Sequence, residues 1–167
     1  MARLKPLPAV WLVSDARNDT ALAVALARLP RGSGFIFRHF HLPPAQRRAQ
    51  FAALLRIARS RDHLVALGGS RAQARLWGAD LSFGPGGDLA PVHSLRELAR
   101  VRNAVAVLLS PAFATRSHPG AAPLGPLRFR LLAARAQVPV IALGGMNSRT
   151  AKRLNWPRWA GIDAFLR

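Results

Sequence analysis

Pro139-Val140-Ile141-Ala142-Leu143-Gly144-Gly145-Met146-Asn147 is the stretch from which the rest of the chain can be read. An unbroken apolar run stops at two glycines. Asn147 can then cap a helix from Ser148 to Leu154. A continuous apolar run is the pattern of a strand buried on both faces, as in a parallel sheet. The glycine pair lets the backbone come close to a ligand, and a helix start adds free N–H groups and a positive dipole end. Together they make an anion site, most often for phosphate. The same residues also make a tight strand-to-helix turn with no ligand, and this stretch alone does not separate the two.

Along the rest of the chain strand-like runs alternate with helix-like ones. Strands are expected at Val10 to Val13, Phe35 to Phe40, Leu64 to Leu67, Leu81 to Phe83, Pro91-Val92, Ala104 to Leu109, Val138 to Leu143 and Gly161 to Phe165. Helices are expected at Thr20 to Leu29, Pro44 to Arg59, Arg71 to Trp77, Leu95 to Arg102, Leu124 to Gln137 and Ser148 to Leu154. Ser70 and Ser94 stand where helix caps belong. Such alternation means parallel pairing with right-handed crossovers. Eight strands predict a closed (β/α)₈ barrel of the TIM type. Such barrels typically need about 250 residues, and this chain has 167. The shortage falls in two places. Gly84-Pro85-Gly86-Gly87 joins strands four and five with no room for a helix, and little chain follows strand eight. The expectation is a single truncated barrel domain over 1–167, lacking the helices after strands four and eight.

The formal net charge is +18, which raises nucleic acid as a partner. However, Arg outnumbers Lys 23 to 2 and is scattered along the chain, which points to a coding bias instead of a clustered footprint. There is no tyrosine, so stacking platforms for bases are few. No specific nucleic-acid partner is expected. The absence of cysteine excludes disulfides and thiolate chemistry. No run reaches the roughly 18 apolar residues of a membrane helix, and Met1 to Pro8 lacks the apolar core of a signal peptide. A cytoplasmic protein is expected.

Several motifs resemble one family. Trp11-Leu12-Val13-Ser14-Asp15, Gly78-Ala79-Asp80, Val92-His93-Ser94-Leu95, Ser110-Pro111-Ala112-Phe113-Ala114-Thr115 and Ser117-His118-Pro119-Gly120 resemble the thiamine phosphate synthases and their thiazole tautomerase relatives. The closing match is Val138 to Met146, and the likeness is most specific from Val105 to Met146. The resemblance implies a (β/α)₈ barrel, usually dimeric. It also implies a role in thiamine biosynthesis, on a phosphorylated thiazole or pyrimidine bound at the C-terminal mouth of the barrel. In the synthases Mg²⁺ holds the pyrophosphate. By the same resemblance Gly144 and Gly145 would hold the thiazole phosphate and Arg38 would face the pyrophosphate. Thr115, Arg116 and Ser117 would line the mouth. His118 and His93 fall in loops after strands, where a histidine can bind substrate or move a proton. Asp88 lies near the family's second metal position, although a turn residue also fits there.

The departures bear on activity. Phe40 stands where the synthases carry a lysine, and Gly68-Gly69 where they carry an Asn-Asp pair. Ile36, Phe83, Pro91, Pro111 and Leu166 replace a glutamine, two histidines and two serines among them, and His118 replaces a lysine. Much of the metal and pyrophosphate site is therefore missing. The alternative is a non-catalytic, phosphate-ligand binding or regulatory protein on a degenerate barrel. Arg38 pointing into a barrel must meet an anion, either a phosphate, Asp15 or Asp163, the last falling in strand eight. His39 and His41 flank Phe40 and could form a metal pair, but no third ligand has a clear spacing. A homodimer is expected, covering strand faces left bare near Leu81, Phe83, Ile162 and Phe165.

Overall fold

The computed structural model describes residues 6–166; the rest of the basic N-terminal segment, residues 1–5, lies outside the described residues. Eight parallel strands close into a barrel in sequence order: β1 (Val10–Val13), β2 (Gly34–Phe37), β3 (Leu64–Gly68), β4 (Leu81–Phe83), β5 (Leu89–Val92), β6 (Ala106–Leu109), β7 (Val140–Ala142) and β8 (Trp159–Gly161). Six α-helices lie between them: α1 (Leu22–Arg28), α2 (Pro44–Ser60), α3 (Arg71–Trp77), α4 (Leu95–Arg100), α5 (Gly125–Ala133) and α6 (Ser148–Leu154). No helix among the described residues is long and apolar enough to cross a membrane.

Alternation along each strand sorts the core into an inside and an outside. Trp11, Val13, Ile36, Ala66, Leu81, Phe83, Leu108, Ile141 and Ala160 meet in the barrel interior. Their strand neighbours, such as Leu12, Phe35, Phe37, Val65 and Leu67, pack outward against helices. Trp11 is the plug of the interior. It is fully buried, and its indole N–H donates to Pro8 O at 2.9 Å, so no polar atom is stranded. The ring lies against β2 so closely that a Cβ on Gly34 would stand 2.0 Å from Trp11 Cδ2.

The expected gaps are real, and short segments fill them. Between β4 and β5 runs a loop, not a helix. Over that flank Arg71 reaches from α3 to Asp88 and to the carbonyl of Asn103, at 2.7 Å each. After β8 a 3₁₀ turn, Asp163–Phe165, brings Phe165 to stack on Trp159, with ring centroids 5.4 Å apart. Leu81 and Phe83 do not face a gap: both point into the barrel and are 4% and 9% exposed. The bare patch expected here is therefore absent at these two residues, while Ile162 and Phe165 are half-buried.

Several elements end elsewhere than the sequence indicates, α5 for instance at Ala133 instead of Gln137, and two of these shifts bear on the site. β2 stops at Phe37, because His39 takes a left-handed backbone, with φ of +44°, and breaks the strand. β8 begins at Trp159 instead of Gly161, since Trp159 and Ala160 pair with Val10 and Trp11 of β1. Asp163 thus leaves the strand and sits in the turn beyond it.

Candidate functional site

The C-terminal ends of β1, β2, β6, β7 and β8 surround a cavity of about 610 Å³. Arg38, Thr115, Arg116, Ser117, His118, Gly144 and Gly145, all singled out from the sequence, line it together. His93 and Asp88 do not. His93 is exposed on the entry to α4, where its backbone N–H and Nδ1 meet Glu97 at 2.7 and 3.1 Å, and its ring lies edge-on to His118 at 6.3 Å. Asp88 stands outside the barrel. Its Oδ1 accepts from Arg71 Nε at 2.7 Å, and its Oδ2 accepts from both the backbone N–H and the hydroxyl of Ser82 at 2.9 Å. Burial raises this carboxyl's pKa, but the bonds from Arg71 and Ser82 outweigh burial and hold it below the usual carboxylate range. Asp88 acts as a structural acceptor for the helix-free flank and does not reach the mouth.

Loop chemistry positions each wall. On the β1 side Asp15 caps a 3₁₀ turn, Ala16–Ala21, in a reciprocal capping box with Asn18. Buried Asn18 donates to the carbonyls of Val13 and Ile162 at 2.9 and 3.1 Å, and so ties β1 to the turn after β8. Arg17 then spans the mouth. Its guanidinium meets Asp15 at 3.0 Å, Asp163 at 3.4 Å and the Ser117 hydroxyl at 2.9 Å. Arg38, just past β2, donates to Ser14 O at 3.1 Å and to Asp15 Oδ2 at 2.9 Å. The anion it meets is thus Asp15. Burial works against the Asp15 charge, but the bonds from Arg17 and the charges of Arg17 and Arg38 win, so its pKa is lowered.

The glycine pair has a reason apart from any ligand. Gly144 and Gly145 have φ of +96° and +61°. A Cβ on Gly144 would lie 2.7 Å from Pro111 Cα, and one on Gly145 would lie 2.4 Å from the Ala114 carbonyl. The β6 loop packs directly on them, with Ala112 N donating to Leu143 O and Phe113 N to Gly144 O, at 2.8 and 3.0 Å. Beyond them Asn147 and Thr150 form a capping box that occupies the amides of residues 147, 149 and 150. The amides of Gly144, Gly145 and Met146 meet no acceptor among the described residues. Beside them, Arg149 and Arg116 line the cavity with no acidic partner among the described residues.

Among the described residues four arginines, 17, 38, 116 and 149, therefore face a mouth whose only acidic lining residue is Asp163. Such a cavity draws anions. The sequence missed Arg17, Arg149 and Asp163 as lining residues. Only the closure of β8 onto β1 singles Arg17 out from its many fellows.

Mg²⁺ on a pyrophosphate needs hard oxygen ligands, commonly one or two carboxylates. Asp15 and Asp163 are bonded to arginines, Asp88 lies outside the barrel, and Gly68-Gly69 offers no side chain. In addition, Arg47 donates to the carbonyls of Gly68 and Arg38 at 2.6 and 2.7 Å, which fills the ends of β2 and β3 with positive charge. The donor set does not fit this metal.

The family model described as thiamine monophosphate synthase matches residues 90–164. A thiamine phosphate pyrophosphorylase from Pyrococcus furiosus superposes with a TM-score of 0.77 at 20% sequence identity, covering 93% of this chain and 85% of that one. At that identity the likeness is one of fold. No curated protein matches the chain. The resemblance read from the sequence is thus shown: residues 90–164 match the thiamine monophosphate synthase family, on a (β/α)₈ barrel shared with a thiamine phosphate pyrophosphorylase.

Proposed function

We propose that the mouth of the barrel binds a small phosphorylated heterocycle of the thiazole phosphate class. The observation that carries this is the run of three amides, Gly144 to Met146, and beside them the guanidinium of Arg149, none with a partner among the described residues. Amides at the end of a strand, facing a cavity, with an arginine beside them, suit a phosphate dianion. The heterocycle would then lie toward Thr115 and Arg38. The same arrangement argues against pyrophosphate transfer, because Asp163 in the mouth and Asp15 beneath it already serve arginines. The test is a structure with a thiazole phosphate soaked in. The phosphate is expected within hydrogen-bonding distance of the Gly145 and Met146 amides and of Arg149; a phosphate seated elsewhere would overturn the reading.

A second reading, tautomerisation of a bound thiazole phosphate carboxylate, is favoured by one observation. His118 is the only histidine lining the cavity among the described residues. It would be the proton carrier, with Arg38 holding the substrate's charge. Loss of isomerisation in His118→Ala with binding retained would support it; isomerisation at the wild-type rate in that variant would remove it.

A further inference from the structure

Asp19, His39 and His41 each offer one ligand atom, and these atoms all lie within 4.8 Å of one another. None of the three lines the mouth cavity. The sequence displays the two histidines but hides the third group, which arrives from the loop after β1. The backbone is bent to make the cluster. His39 has φ of +44°, where residues other than glycine are uncommon, and Leu42 N closes a turn on His39 O at 3.1 Å. That turn returns the His41 ring to 4.8 Å from the His39 ring.

The atoms are set up for ligation. The His39 side chain is fully buried, with Nδ1 at 2.8 Å from Ser14 Oγ and Nε2 at 3.1 Å from Asp19 Oδ1. Two ligands on one tetrahedral zinc, at bonds of about 2.0 Å, stand about 3.3 Å apart. The Asp19–His39 pair already has that spacing, and exposed His41 is free to close the third side. Ser14 can accept the ring proton at Nδ1, the outer-partner contact that orients a metal-bound imidazole. Gln50 Nε2 donates to that same Oδ1 of Asp19 and holds the carboxylate in place, a bond that the metal would replace.

We propose that Asp19, His39 and His41 form a site for a divalent transition metal of the zinc type, clamping the loop after β1 to the loop after β2. Two imidazoles and one carboxylate suit zinc, nickel or copper and are a poor set for Mg²⁺, which keeps an octahedron of oxygens. Three protein ligands leave a fourth position for water. The site stands apart from the anion-binding mouth and does not depend on what the mouth binds.

The test uses Co²⁺ as a coloured probe on tag-free, chelator-treated protein. The wild type is expected to develop a visible d–d band that saturates at one equivalent and is displaced by Zn²⁺. His41→Ala and Asp19→Asn are expected to weaken binding at least tenfold, while His93→Ala leaves it unchanged. His41 is exposed, so its truncation should leave the thermal melt of the metal-free protein in place. The absence of a saturable band would overturn the proposal, as would a band unaltered in His41→Ala and Asp19→Asn, or one lost in His93→Ala.

Discussion

Arg38 donates from Nη2 to Oδ2 of Asp15 at 2.9 Å, joining the ends of β1 and β2 beneath the mouth. Both side chains are about one quarter exposed. Asp15 also receives Arg17 and caps the first turn after β1. One carboxylate therefore holds two of the four mouth arginines.

Asp15→Ala is expected to destabilise the fold by about 1–3 kcal/mol, since it leaves a largely buried arginine unpaired and removes a cap. Urea unfolding of the variant and of Asp15→Ala/Arg38→Ala would check this. The double variant should recover part of the loss, because the unpaired charge goes with it.

Gly34 is fixed by Trp11. Gly34→Ala would place a methyl inside the indole ring, beyond what rotamer changes can absorb. The variant should lose at least about 3 kcal/mol or fail to fold, read by the thermal midpoint together with tryptophan fluorescence. Gly145→Ala is likewise expected to displace the β6 loop, so glycine variants are unsuited to testing the anion site.

Buried His63 donates from Nε2 to Leu26 O at 2.9 Å, while its Nδ1 has no partner among the described residues. Burial pushes its pKa below the ordinary value, and the Leu26 bond opposes this only in part. A histidine with a lowered folded pKa binds its proton more readily when unfolded. Stability therefore rises with pH in the window below about 6.5 and is lost as pH falls from there toward the folded pKa. His63→Gln should flatten that slope in denaturant midpoints measured between about pH 5 and 7. An unchanged slope would assign it to another group.

Most of the barrel could be read from local signals. β1, β4, α3 and α6 have the expected bounds, since Ser70 and Asn147 cap their helices and Gly78 ends α3 in a left-handed conformation. β8 and the end of β2 could not be read this way. The first is set by pairing with β1, far away in sequence, and the second by the backbone turn at His39. The mouth was legible where a motif carried it, at Gly144, Gly145 and Thr115 to His118. Asp163 stood out in the sequence as a partner for a barrel arginine, but Arg17 as that arginine was hidden, because their meeting depends on barrel closure across 146 residues. Asp88 misled because its place after β4 resembles a metal position, while the loop turns it outward to Arg71 and Ser82.

With Gly68-Gly69 where the resemblance implies an Asn-Asp pair, and Arg47 bonded to the Gly68 carbonyl, pyrophosphate with Mg²⁺ should be poorly held. Synthase turnover is expected to be absent or very weak in a steady-state assay with both substrates and Mg²⁺. Ordinary enzyme rates, roughly 1 s⁻¹ or above, would refute this.

The central claim is that the mouth recognises a phosphate on a small heterocycle through the Gly144–Met146 amides and Arg149. Calorimetric titration with a thiazole phosphate and with its dephosphorylated alcohol, on the wild type and on Arg149→Ala, addresses it most directly. Removing one charge-assisted bond of about 1.5–3 kcal/mol should weaken the phosphate ester more than tenfold in the variant. The alcohol should bind weakly to both proteins, with no difference between them. Equal affinity of ester and alcohol for the wild type, or an ester affinity unchanged by Arg149→Ala, would contradict the account.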